Sequence, residues 1–396
     1  MRPYRIGLLG YGFIGKVHAY AIRNLPLFYD LPAKATVAHV ATSSEGSAGV
    51  AGAQLRELFD QEVTESVGYE ALMEDDRLDI IAICTPNSLH RDPVMAALAA
   101  GKAVYCDKPL TESVASAEAI ASAAEENGVA DRLGMVFQNR FFPATMRAKE
   151  LIDAGALGTL LSYRAGYLHS GNASPETPFK WKLDAGQGGG VIADLGSHLI
   201  DLLQWLIGPI DSVQAQTQIA YGERPAPTDR EQRLSVTGED AFYAIGTARG
   251  PEGEVVKGTM EASKLALGTE DELRLEIHGN QGALRFNLMQ PNYMELYRPG
   301  RQAAADGPRL EGGWQRLDTV QRYTVPASGF PGPKNSIGWL RAHAANFAAF
   351  LQAIDSREPP EPGLPAAMSV QRVMDALGRS ADRGDLITLS RPVTLP

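Results

Sequence analysis

The chain has 396 residues, with 37 Lys and Arg against 47 Asp and Glu for a net charge of −10, 44% apolar residues and two cysteines. At roughly 100 to 200 residues per domain this supports two or three domains with their own cores, and the acidic balance speaks against nucleic acid or an anionic membrane as the main partner. Neither cysteine sits in a C-x-x-C or Cys/His cluster, which excludes a disulfide framework or structural zinc and points to a reducing compartment, the cytoplasm.

Residues 1–10 lack the basic region, long apolar core and cleavage site of a signal peptide and are expected to form a first strand. From there to about residue 134, short apolar runs bounded by Gly or Pro alternate with Ala-rich stretches, the pattern of a parallel sheet wrapped by helices. Strands are predicted at 4–9, 35–41, 80–84, 103–106 and 133–137, with a helix at 113–127 that Gly128 ends.

The first strand runs into Gly10-Tyr11-Gly12-Phe13-Ile14-Gly15 and then a helical stretch from Lys16, which is G-x-G-x-x-G in a strand, turn, helix context. The first glycine permits the tight turn, the second lets backbone N–H groups approach a pyrophosphate, and the third lets helix and strand pack closely. A plain tight turn would use the same glycines, and Gly makes up 40 of the 396 residues; placement after the first strand favours a dinucleotide. The acid that commonly holds the ribose 2′-hydroxyl at the end of the second strand is missing. Thr42-Ser43-Ser44 stand there, with no adjoining arginine for a 2′-phosphate, so NAD and NADP both stay open. Further on, Cys106-Asp107-Lys108-Pro109 sets Lys108 at the carboxyl end of a strand, where doubly wound sheets bind ligands. A solvated loop lysine is the alternative.

Beyond Phe137 a helix is predicted at 144–154, then strands at 159–167, 212–220, 241–247, 254–261 and 272–278. Consecutive strands without intervening helices favour an antiparallel sheet. Within Gly186 to Asp201, Asp194, His198 and Asp201 fall at i, i+4 and i+7, one face of a helix, with Ile192, Leu195, Leu199, Leu202 and Leu203 as apolar cover. A carboxylate and an imidazole so placed suit a general base with an orienting partner, able to take a proton from an alcohol. A buried Asp–His hydrogen bond, or a pair of metal ligands, fits Asp194 and His198 about as well. Polar residues interrupt 191–208 too often for a membrane span. A Pro/Gly-rich stretch at 298–313 reads as a surface loop, and helices are predicted at 339–354 and 365–380.

Several segments together resemble the glucose-fructose oxidoreductase / inositol dehydrogenase / rhizopine catabolism (Gfo/Idh/MocA) family. They are Gly10 to Gly15 with Lys16 and His18, Thr85-Pro86-Asn87 with His90, Asp107-Lys108-Pro109, Asn139-Arg140-Phe141-Phe142-Pro143, Lys180-Trp181-Lys182, and Gly188-Gly189-Gly190 to Asp194 and His198. They run in family order across residues 5–210. The resemblance implies an α/β Rossmann domain, 1–135, and an α+β domain, 136–396, with a large, mostly antiparallel open sheet through which subunits pair as homodimers or homotetramers. It implies a nicotinamide-dependent dehydrogenase of sugars, anhydrosugars or inositols. Lys108 then matches the lysine of the family's E-K-P motif, and Asp194 and His198 the acid and histidine of its D-x-x-x-H motif; the three form the catalytic set. Thr85, Pro86, Asn87 and His90 match a loop along the cofactor, and Trp181-Lys182 a Trp-Arg pair near the nicotinamide. Asp107 for Glu and Lys182 for Arg depart from the family pattern, the second losing a bidentate fork. No metal is implied.

On this footing His198 accepts the proton, Lys108 bonds the same hydroxyl, and Asp194 bonds the substrate or orients the pair. Arg140, Tyr167 and His169 are further candidates to read a polyol. The same resemblance leaves two alternatives: a redox-neutral, NAD-dependent glycosidase, and a nucleotide-sensing regulator without catalysis.

Overall fold

A computed structural model of the chain describes residues 3–31, 33–302, 309–310, 312–320, 330 and 335–389. The amino-terminal part alternates β1 (Tyr4–Leu9), α1 (Phe13–Phe28), β2 (Ala35–Thr42), α2 (Glu45–Phe59), β3 (Thr64–Val67), α3 (Glu70–Glu74), β4 (Ile80–Ile83), α4 (Arg91–Ala99), β5 (Ala103–Cys106), α5 (Val114–Glu126) and β6 (Leu133–Met135). Then come α6 (Pro143–Asp153), β7 (Leu160–Leu168), α7 (Ser197–Leu206), β8 (Ile210–Gln218), β9 (Glu223–Pro225), β10 (Arg233–Ser235), β11 (Ala241–Arg249), β12 (Val255–Ser263), β13 (Glu272–Gly279), β14 (Ala283–Asn287) and β15 (Tyr293–Arg298). Short pairing segments β16 (Arg301–Gln302) and β17 (Arg309–Leu310), then β18 (Gly313–Asp318), α8 (Trp339–Ser356), α9 (Leu364–Arg383) and β19 (Ile387–Thr388), complete the chain. Of the loop expected at 298–313, residues 303–308 and 311 lie outside the described residues.

Two compact units result: residues 1–141 with 324–371, and residues 142–323 with 372–396. The first unit therefore takes in α8, which lies well beyond the single boundary near residue 135 expected from the sequence.

In the first unit six parallel strands run in the order β3-β2-β1-β4-β5-β6. This is the doubly wound order, and its crevice lies at the carboxyl ends of β1 and β4, where the order reverses. Ile80–Ile83 and Ala103–Cys106 are wholly buried, as strands covered by helices on both faces must be. The helix α5 starts where the Ser113 hydroxyl accepts from the Ser116 N–H, which satisfies one of its orphan donors. α8 packs along α1, and its Phe347 and Phe350 rings meet Tyr105 of β5 at 5.1 and 4.9 Å.

The second unit holds a nine-stranded sheet, β18-β15-β14-β13-β7-β12-β11-β8-β19, antiparallel except between β7 and β12. α6 and α7 pack on one face. The other face is open and carries a hollow of about 1140 Å³ lined by Arg164, Tyr243, Ile245, Glu261, Arg274 and Glu276, among others. Along β11 the alternation is plain: Phe242 and Ala244 are buried, Tyr243 and Ile245 exposed.

Candidate functional site

The glycine turn that follows β1 is built for a ligand. Gly10 has φ +90°, and a Cβ there would stand 3.0 Å from the Cys84 carbonyl oxygen; at Gly15 it would stand 2.4 Å from the Gly10 carbonyl oxygen. Both positions are closed by backbone. At Gly12, the residue just before α1, an added Cβ meets nothing within 4 Å. The turn therefore leaves open the one side that faces away from its own fold, at the positive end of a sixteen-residue helix, the arrangement that receives a pyrophosphate. Phe13 is 73% exposed and stacks on Trp339 at 5.8 Å between centroids.

Other candidates of the first unit gather around this turn. The contact with Cys84 puts Gly10 next to Thr85 and Pro86. His90 is fully buried, with Nε2 2.8 Å from the Thr85 carbonyl and Nδ1 3.2 Å from the carbonyls of Pro109 and Leu110. It thus braces the loop after β4 to the loop that bears Asp107 and Lys108, both half-buried. At the end of β2, the Thr42 hydroxyl lies 2.6 Å from that of Ser47 and donates to the Ser44 carbonyl, while Ser43 is exposed. The Ser44 and Ser47 hydroxyls lie 2.9 Å apart in the same set. Arg140 is buried and ion-paired with Glu361.

In the second unit a run of glycines shapes the segment before the catalytic candidates. Gly189 N–H donates to the Asp184 carbonyl and Gly190 N–H to that of Lys182. A Cβ on Gly189 would stand 2.7 Å from the Lys182 and Asp184 backbone, and one on Gly190, at φ +105°, 2.4 Å from the Glu239 carboxylate. Only glycines let this strap close. Glu239 accepts from the Ile192 N–H at 2.8 Å, and burial pushes its carboxyl pKa up. Residues Ile192–Gly196 then form a π-helical turn that leads directly into α7. The single α-helix expected here is therefore replaced by a wide turn followed by a helix, a feature that recurs at functional sites.

Asp194 sits in that π turn. Its Oδ1 accepts from Lys182 Nζ at 2.7 Å and its Oδ2 pairs with Lys264 Nζ at 2.9 Å. The exposures differ: 37% for Lys182, 15% for Asp194 and 2% for Lys264. His198, buried on α7, has its ring 6.1 Å from that of Tyr167 on β7. His169 follows β7, and its Nδ1 accepts from the Gly171 N–H at 2.9 Å. The neutral ring then carries its proton on Nε2, which is a donor. Burial first, then the charge of Lys264, lowers the His169 pKa. Trp181 lies 5.8 Å from Lys182 Nζ. One fixed carboxylate, two ammonium groups, two imidazoles and a phenol make a surface suited to hydroxyl groups.

Two family models match the chain. One, described as an oxidoreductase family with an NAD-binding Rossmann fold, covers residues 4–134. The other, the GFO/IDH/MocA C-terminal domain, covers 145–285. The chain belongs to the Gfo/Idh/MocA family of oxidoreductases. Over 402 aligned residues it is 28% identical to levoglucosan dehydrogenase of Pseudarthrobacter phenanthrenivorans, covering 96% of this chain and 97% of that one. It is 32% identical over 321 residues to D-xylose 1-dehydrogenase (NADP(+)) 2 of Haloferax volcanii, covering 81% and 83%. A solved structure of levoglucosan dehydrogenase in complex with NADH and L-sorbose matches with a TM-score of 0.86 at 26% identity, covering 99% of this chain and all of that one. This Gfo/Idh/MocA member is a nicotinamide-dependent dehydrogenase with the two-part fold expected from its sequence.

Lys264 and Glu239 escaped the sequence reading because no spacing rule links them to Asp194. One signal was there for Lys264: it stands just past a predicted strand, the same placement that singled out Lys108.

Proposed function

We propose that this dehydrogenase oxidises a secondary hydroxyl of a sugar, anhydrosugar or inositol, or runs that reaction in reverse. The observation that carries the reading is Asp194, held by an ammonium group on each oxygen and followed in the next turn by His198. A carboxylate so saturated is a poor proton acceptor, which leaves the imidazole as the base of the pair. The likeness to levoglucosan dehydrogenase along nearly the whole chain supports the substrate class.

His198 accepts the hydroxyl proton, Lys108 donates a hydrogen bond to the same oxygen and offsets its developing charge, and Asp194 orients. The His169 Nε2–H and the Tyr167 hydroxyl read further hydroxyls; Arg140, tied to Glu361, is better suited to holding its own loop than to touching substrate. When bound, the nicotinamide coenzyme supplies the two-electron acceptor. Gly10, Gly12, Phe13, Ile14 and Gly15 hold its pyrophosphate. Thr42 and Ser43 face the adenosine ribose, and Thr85, Pro86, Asn87, His90, Asp107, Trp181 and Lys182 the nicotinamide half. With hydroxyls in place of an acid at the end of β2, both NAD and NADP are admitted.

The open sheet face favours a homodimer or homotetramer. On it Tyr243, Ile245, Tyr293 and Trp314 stand exposed among the pairs Arg164–Glu276, Arg274–Glu261 and Arg285–Glu295, an apolar surface rimmed by charge of the kind that marks a protein contact. Two cysteines outside any disulfide, Cys84 and Cys106, suit a reducing compartment such as the cytoplasm.

The test is an absorbance screen for reduced cofactor, with NAD and NADP against inositols, aldoses and anhydrosugars. Net reduction with at least one polyol is expected. Release of an aglycone without net reduction, or cofactor binding without turnover of any polyol, overturns the reading.

A further inference from the structure

Lys264 is 2% exposed, and removing an ammonium group from water is costly unless a partner compensates. The fold fixes its backbone: its N–H donates to the Asp240 carbonyl, and its carbonyl accepts from the Asn172 N–H, both at 2.9 Å. The side chain ends on Asp194 Oδ2. Lys182 reaches the other oxygen from a more exposed, half-buried position, where solvent screens an ion pair more strongly. Of these two ammonium partners, Lys264 therefore has the firmer hold on Asp194.

We propose that Lys264 is a positioning residue for the dehydrogenase reaction, holding the Asp194 carboxylate ionised and aimed so that His198 remains the proton acceptor. This rests on the proposed roles of Asp194 and His198. The charged and titratable groups around Asp194 include Lys182 and Lys264 in direct contact, His169 and Lys180 within reach of its charge, and His198 one turn on. Glu239 lies within reach of Lys264. Without Lys264, Asp194 loses its buried ammonium partner on Oδ2 and takes up a proton more readily, so the ionised carboxylate is lost at a higher pH.

The experiment uses the full chain with a polyol that the wild type oxidises. Lys264→Met should retain NADH affinity within about twofold, lose about tenfold or more in kcat with a smaller change in KM, and shift the acid limb of kcat to higher pH. Lys264→Arg should recover most of the loss. A folded Lys264→Met enzyme with wild-type kcat and acid limb overturns the inference. If that variant folds poorly, Lys264→Met paired with Asp194→Asn removes both charges together. A thermal double-mutant cycle on these two positions needs no substrate: Asp194→Asn should lower Tm clearly in the Lys264 protein and much less in the Lys264→Met background. Equal losses in both backgrounds overturn the inference. Strong coupling in a protein that oxidises no polyol would instead count against the proposed reaction alone.

Discussion

At Gly12 an added methyl group meets nothing within 4 Å, whereas at Gly15 it lies 2.4 Å from a backbone oxygen. The two glycines of one motif thus serve different ends. Gly12→Ala should keep its folding stability within about 1 kcal/mol yet weaken NADH binding about tenfold or more, read by chemical denaturation and fluorescence titration. Gly15→Ala should cost about 1–3 kcal/mol of stability, because backbone cannot yield as a side chain does. Equal effects of the two substitutions would contradict the account. For the proposed catalytic residues, His198→Ala and Lys108→Ala should each lower kcat by about 10²–10⁴-fold while leaving the circular dichroism unchanged; near-native turnover in both would sink the assignment. The residues found from the sequence are those whose spacing encodes geometry, such as Gly10 to Gly15 along one turn, or Asp194 and His198 along one helix face. Lys264 and Glu239 reach the same place from other segments, and only the folded chain brings them there.

Helix α8 decides how the first unit responds to packing changes and to acid. Its Phe350 is buried against Tyr105, and a Cβ on Gly134 of β6 would stand 2.4 Å from that phenylalanine ring. Phe350→Ala should therefore cost about 3–5 kcal/mol, measured as a loss in the denaturation midpoint. α8 also packs along α1, where burial pushes the His18 pKa down to about 3 and likewise holds His343 well below its usual range. Both are neutral in the folded protein. Because their folded pKa values lie below the unfolded one, the unfolded chain binds more protons in acid. The stability they contribute is complete above about pH 6.5 and falls as pH drops from there toward about 3. A Tm that stays flat between about pH 7 and pH 4 would contradict this. Strands and helices with a clear period were legible: β1, β5 and α5 fall where expected to within a residue. The π turn at Ile192–Gly196 was not, since helical spacing carries no mark of an i→i+5 step. Nor was the membership of α8 in the first unit, because its apolar face records that something covers it and not what.

For the whole molecule, the open sheet face and the dehydrogenase reaction are the two claims to test. Ile245 of β11 is 62% exposed on that face, and Ile245→Glu should halve the mass seen by sedimentation if subunits pair there, with each subunit's spectrum intact. An unchanged mass would rule the face out as the contact. The sequence already carried the doubly wound domain, the mostly antiparallel sheet and the family. Left unwritten was the charge lattice of Arg164, Glu261, Arg274 and Glu276, which depends on cross-strand register and not on any run along the chain. The most direct test of the central claim uses a polyol deuterated at the carbon that is oxidised, with magnetic resonance of the recovered cofactor. Deuterium at C4 of the reduced nicotinamide, in step with the ketone formed, is the expected result. Deuterium retained in the sugar product, or lost to solvent without net reduced cofactor, would contradict it.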